Sequence, residues 1–121
     1  MTGVRRESLS IDSMVRESIQ AEGDGFDTIW FAQPATHGYE ALTLISLAGR
    51  QTSRIELGTA VVPTYPRHPM VMAQHALTAQ AASNGRLTLG IGVAHKPTIE
   101  GIMGLSYSTN IFRTHINIRS N

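Results

Sequence analysis

The sequence predicts an α/β protein of about three βα units with parallel strands, and two observations carry that prediction. The first is the stretch Arg54–Pro69, RIELGTAVVPTYPRHP. Its first half reads as a buried strand, with Ile55, Leu57, Val61 and Val62 around a small Gly58-Thr59-Ala60 centre. Its second half cannot continue one, because Pro63, Pro66 and Pro69 each lack a backbone donor and fix their own φ. A helix pattern follows at once, so strand, rigid loop and helix make one βα unit. The second is spacing. Strand-like runs begin near positions 28, 55 and 87, a period of roughly thirty residues, long enough for the crossover that parallel strands need.

The elements follow in order. Val4, Arg5, Arg6, Glu7 and Ser8 are too polar for a central parallel strand, so residues 1–9 are expected to form a leader outside the sheet. Ser10 is placed to cap a helix in which Ile11, Met14, Val15 and Ile19 recur on one side. Glu22-Gly23-Asp24-Gly25 ends it, with glycine supplying a left-handed cap. Phe26–Phe31 is a short β-rich run, and residues 32–38 are the loop after it. Tyr39–Gln51 is helical, with Ala41, Leu42, Leu44, Ile45, Leu47 and Ala48 forming a broad apolar face.

Beyond the central strand, Pro69 suits the first turn of another helix. Met70, Ala73 and Leu77 mark its apolar side, and Ala76, Ala79, Ala81 and Ala82 permit close packing on a sheet. Asn84-Gly85 closes it. Arg86–Val93 reads as one strand and Ala94–Pro97 as its loop. Thr98–Met103 starts a helix pattern that Gly101 and Gly104 interrupt. From Ser108 to Asn121 helical periodicity is lost, and this tail is expected to be disordered.

Composition narrows the function classes. The chain has 121 residues, 41% hydrophobic and 16% charged, with a formal net charge of +1. Its basic residues form no stripe, which argues against nucleic acid or an anionic membrane as partner. There is no cysteine, so disulfides, thiolate zinc and cysteine nucleophiles are excluded. No apolar run approaches the ~20 residues that span a bilayer, and the first residues lack the apolar core of a secretory signal. A cytoplasmic location is the default expectation.

In α/β folds ligands meet the carboxyl ends of strands, so residues 59–68 are the first place to look for function. Gln33 ends one strand and is placed to reach a ligand, with an exposed loop amide as the alternative. His95 ends another and is placed to hydrogen-bond a substrate or donate a proton near neutral pH, with a solvated loop histidine as the alternative. His68 reads as a structural residue that orients the proline turn or caps the helix. The spacings of His37, His68, His75 and His95 fit no zinc signature. Gly90-Ile91-Gly92 lacks the third glycine of a dinucleotide fingerprint. Ser46 and Ser106 lack a hydrolase elbow, and Glu40, Glu56 and Glu100 show no pairing legible in sequence.

The segments GFDTIWFAQP at 25–34, SRIELGTAVVPTYPRHP at 53–69, NGRLTLGIGVAH at 84–95 and GLSY at 104–107 together resemble the luciferase-like monooxygenase superfamily, in its branch of oxidoreductases that use the deazaflavin coenzyme F-420. The resemblance implies a partial TIM (β/α)8 barrel over residues 1–107, holding the second, third and fourth strands, with 108–121 a non-family tail. Such barrels typically run to about 250 residues, so it also implies a truncated or frameshifted copy whose first strand is absent or unrecognisable before Ser10. It implies a non-proline cis peptide at Ala60–Val61 against the middle ring of the cofactor, with Gln33, Thr59, Ala60 and Val61 at the cofactor and His95 in a catalytic role. The implied cofactor is F-420, with FMN the sister possibility, and the implied substrate a small organic molecule. The implied activity is hydride transfer or monooxygenation. The competing expectation is a non-catalytic barrel fragment that associates with another chain, as a homo-oligomer or with a chain that completes the barrel, or that aggregates.

Overall fold

Each strand of this chain lies parallel to its neighbour, and the helices between them share one side of the sheet. The computed structural model describes residues 2–3, 10–33, 38–64 and 67–92. The tail at 108–121 and His95 lie outside the described residues. In order come β1 (Thr2–Gly3), α1 (Ile11–Gly23), β2 (Thr28–Phe31), α2 (Ala41–Gln51), β3 (Glu56–Thr59), β4 (Val62–Pro63), α3 (Pro69–Ala82), β5 (Leu87–Thr88) and β6 (Ile91–Gly92). One sheet has the order β1-β2-β3-β5, and a second pairs β4 with β6. All these pairs are parallel.

The helix ends follow the local chemistry. Ser10 caps α1 by accepting the Ser13 N–H at 3.0 Å. Gly25 takes the positive φ of +87° after its last turn. His68 caps α3 with Nδ1, which accepts the Met70 N–H at 3.1 Å, and Pro69 occupies the first turn. Asn84 and Gly85, both at positive φ, turn the chain out of α3.

The core lies between the sheet and the helices. Ile29, Phe31, Leu57 and Val62 meet Leu42, Ile45, Ala48, Met72, Ala76 and Ala79 there. Helices α2 and α3 touch closely: a Cβ on Gly49 would stand 2.8 Å from that of Ser83.

Four expectations are corrected. Thr2–Gly3 is no leader but pairs in parallel with Ile29–Trp30; backbone ladder bonds need no apolar side chain. The single strand at 86–93 is two pieces, because Leu89 and Gly90 cross from one sheet to the other. The buried side of α3 is Met72, Ala76 and Ala79, whereas Met70 and Leu77 are 70% and 46% exposed. That helix is apolar all round, so periodicity could not choose its side; the close contact with Gly49 does. Val61, read as buried, is 45% exposed, for the reason given in the next subsection.

Two fastenings hold the amino ends of the strands. The Glu22 carboxylate accepts the N–H groups of Ser53, Arg54 and Ile55 at 2.7–3.2 Å. Arg86 uses all five guanidinium donors: Nε to Ser83 O, Nη1 to Thr52 Oγ1 and Ile55 O, and Nη2 to Gly49 O and Thr52 O, each at 2.7–3.0 Å. The Ile55 N–H foremost, with those of Arg54 and Ser53, holds the Glu22 carboxyl below its ordinary 4.5. Its stabilisation is therefore full above that value and disappears as pH falls through the lowered one. Glu22→Gln is expected to be less stable than wild type at neutral pH, with the difference shrinking as pH falls through the lowered value, as read by urea unfolding followed by circular dichroism at a series of pH values. Arg86→Lys keeps the charge but loses the planar fork. A loss of about 1.5–3 kcal/mol is expected in urea unfolding, the size of one charge-assisted bond.

Candidate active site

The site is built where β3 gives way to β4. Gly58 pairs with Thr88 and Val62 with Ile91. Between these positions one strand has Thr59, Ala60 and Val61, and its neighbour only Leu89 and Gly90. The extra residue is a β-bulge, which re-aims side chains and steepens the twist. It lets Thr59 and Val62 both face the core while Ala60 and Val61 come to the surface. The Ala60–Val61 peptide is cis, the bond that the resemblance singles out.

Hydrogen bonds secure the bulge. Ala60 N–H donates to Phe31 O at 2.8 Å, Val62 N–H to Gly90 O at 2.9 Å and Thr64 N–H to Gly92 O at 2.8 Å. The Thr59 hydroxyl accepts the Gly90 N–H at 2.8 Å and donates to Gly90 O at 2.7 Å. Thus Thr59 supplies from its side chain the acceptor that the interrupted ladder does not give the Gly90 N–H.

The glycines around the bulge are tightly covered. A Cβ on Gly90 would lie 2.3 Å from Thr59 O, on Gly92 2.9 Å from Val61 Cγ2, and on Gly58 2.4 Å from Trp30 Cζ3. Trp30 therefore lays its indole across Gly58, and Val61 lies against the strand of Gly92. Toward the amino ends on the same face, the Glu56 carboxylate accepts from the hydroxyls of Thr28 and Thr88.

The rim joins two loops. Gln33 Oε1 accepts the Ala41 N–H at 2.9 Å, and the Glu40 carboxylate accepts the N–H groups of Leu42 and Thr43, so both residues cap α2. Arg67 Nη2 stands 3.1 Å from Glu40 Oε2 and Nη1 3.7 Å from Met72 Sδ. Burial pushes the Glu40 carboxyl up, but the Leu42 N–H, the Thr43 hydroxyl and Arg67 outweigh it and hold it below its ordinary value.

The structure thus brings Thr59, Ala60 and Val61 together, with only the last two exposed. Gln33 is neither a loose loop amide nor wholly open to a ligand, since its carbonyl oxygen caps a helix. Sequence reasoning missed Trp30, Arg67 and Gly90. Gly90 had a signal, since glycine within a strand marks a bulge or a close backbone approach.

Parallel strands backed by helices, with a bulged and glycine-flanked strand end, are those of a piece of a (β/α) barrel, with its carboxyl-end face as the candidate site. The family model for luciferase-like monooxygenase matches residues 2–115, and the chain belongs to that family. A Mycobacterium tuberculosis protein named as a coenzyme F-420-dependent oxidoreductase is 37% identical over 94 residues, covering 78% of this chain and 26% of the relative. The 5,10-methylenetetrahydromethanopterin reductase of Methanopyrus kandleri is 33% identical over 91 residues, 75% of this chain and 26% of the relative. The structure of the coenzyme F-420-dependent tetrahydromethanopterin reductase from the same organism superposes with a TM-score of 0.72 at 28% identity, covering 88% of this chain and 30% of that one. The FMN-bound oxygenating constituent of 3,6-diketocamphane monooxygenase from Pseudomonas putida shares the fold, with a TM-score of 0.70 at 23% identity over 83% of this chain and 29% of that one. The chain spans about a quarter of the length of the curated relatives named here. Among the described residues, no helix is long and apolar enough to cross a membrane.

Thr59→Val keeps the shape but leaves the Gly90 N–H without its acceptor. A loss of about 1–3 kcal/mol is expected, together with faster hydrogen exchange at the Gly90 amide; an unchanged exchange rate there would contradict the stapling role.

Proposed function

We propose that this chain carries the ring-binding floor of a luciferase-like oxidoreductase, with reduced coenzyme F-420 as cofactor and a small organic molecule as substrate. The bulge is the observation that carries the reading. It brings Ala60 and Val61 to the surface at a strand's carboxyl end, on a bulge packed tightly against Gly90 and Gly92, whose missing Cβ atoms make room for Thr59 and Val61. A flat heterocycle needs small residues exposed on a firmly held backbone, and Ala60 and Val61 suit it.

When bound, the deazaflavin supplies hydride chemistry; FMN with oxygen is the sister possibility, and the F-420-dependent relatives favour the first. The chain's own residues bind, orient and desolvate the ring. Ala60 and Val61 form the contact, and Thr59 fixes their position through Gly90. Gln33 sets the rim, and His95 is assigned the hydrogen bond to substrate or the proton. A cytoplasmic location belongs to this reading.

A second reading has another chain, or a second copy, complete the barrel wall. The outward apolar side of α3, with Met70 and Leu77 exposed, favours it. Titration with F-420 and with FMN, followed by ring fluorescence, tests the first reading, and size exclusion with a hydrophobic dye tests the second. Saturable micromolar binding of either ring is the expected result. No saturable binding, in a chain that elutes as a dye-binding oligomer, would replace the first reading by the second. Glu40→Gln is expected to weaken ring binding by about two- to tenfold, the worth of one modest polar contact, by loosening the Arg67 loop. An unchanged dissociation constant would free the rim from that role.

A further inference from the structure

We propose that Trp30 is a ligand-contacting residue whose indole N–H donates to an acceptor atom on the bound ring; this rests on the reading of the bulge as a ring-binding floor. Three observations lead to it. Ile29 and Phe31 are buried against the helices, so Trp30 between them projects to the opposite, inner side of the sheet. There it lies across Gly58, two residues before Ala60 on the adjacent strand, which places it beside the proposed floor. Its Nε1 is buried and has no hydrogen-bond partner among the described residues.

A buried indole N–H ordinarily finds an acceptor. On this face the Glu56 carboxylate accepts from the hydroxyls of Thr28 and Thr88 and not from the indole. The indole as a whole is half-buried, and for its N–H to meet a bound ring the indole must turn about its side-chain bonds. A ring seated on Ala60 and Val61 brings carbonyl oxygens and ring nitrogens, the acceptors this donor lacks. Trp30 then does two things: its ring packs on Gly58, and its N–H reads the polar edge of the cofactor.

Trp30 is the sole tryptophan of the chain, so its indole N–H gives one isolated cross-peak in a nitrogen–proton correlation spectrum. Adding F-420 or FMN to the full chain is expected to move that peak downfield and to slow its exchange with solvent. Trp30→Phe keeps an aromatic ring over Gly58 and removes the donor; it is expected to bind the ring about two- to tenfold more weakly, as read by ring fluorescence. An unmoved cross-peak, at ring concentrations where fluorescence shows saturation, overturns the role of Trp30 and leaves the floor standing. If the wild-type chain binds neither ring, the floor falls and Trp30 with it. The spectrum is taken on wild type, so the test survives a Phe variant that fails to fold.

Discussion

The hydroxyl of Thr59 is the contact on which the site's shape depends. A parallel ladder gains an extra residue at Ala60–Val61, and the Gly90 N–H of the neighbouring strand would lose its partner. Left unpaired, it would cost about 1–3 kcal/mol. The Thr59 hydroxyl accepts it at 2.8 Å and donates at 2.7 Å to Gly90 O, which also accepts the Val62 N–H. That bond pair demands a bare Cα opposite, and Gly90 provides it. The Thr59 hydroxyl is thus engaged with Gly90, and it holds Ala60 and Val61 in place beside it.

The two ends of the strands are built on different principles. At the amino ends, charged groups are saturated with backbone partners: Glu22 with three N–H groups, Arg86 with carbonyls from α2, the following turn and the end of α3. These bonds fix where the helices meet the sheet. At the carboxyl ends, charged groups sit on loops instead. Glu40 caps α2 and reaches Arg67, so the loop after β2 and the loop after β4 are joined across the rim. The arrangement keeps stability and chemistry apart, as barrel proteins generally do.

Much of this was legible in sequence, for identifiable reasons. Ser10, Pro69 with His68, and Asn84-Gly85 use local chemistry that depends on few distant contacts, and each lies where its residue type suggests. The parallel order followed from the spacing of the strands, and the family from residues 25–34, 53–69 and 84–95. What could not be read depends on packing. Helix α3 carries apolar residues on every side, so only the approach of Gly49 to Ser83 decides that Met72 goes in and Met70 stays out. The pairing of Thr2–Gly3 uses backbone groups alone and leaves no mark in side-chain pattern. The one-residue offset between β3–β4 and β5–β6 is invisible until both strands are paired, which is why Val61 reads as buried and is exposed.

Arg86 has a consequence of its own. Its acceptors are carbonyl oxygens and one hydroxyl, none of which titrates in the acid range, whereas Glu22 must stay ionised to do its work. The chain therefore has an acid-labile clasp between α1 and β3 and an acid-proof one among α2, β3 and α3. Acid strong enough to protonate Glu22 therefore loosens the contact between α1 and the start of β3 and leaves the bonds of Arg86 unchanged, so the two fastenings differ in what can undo them.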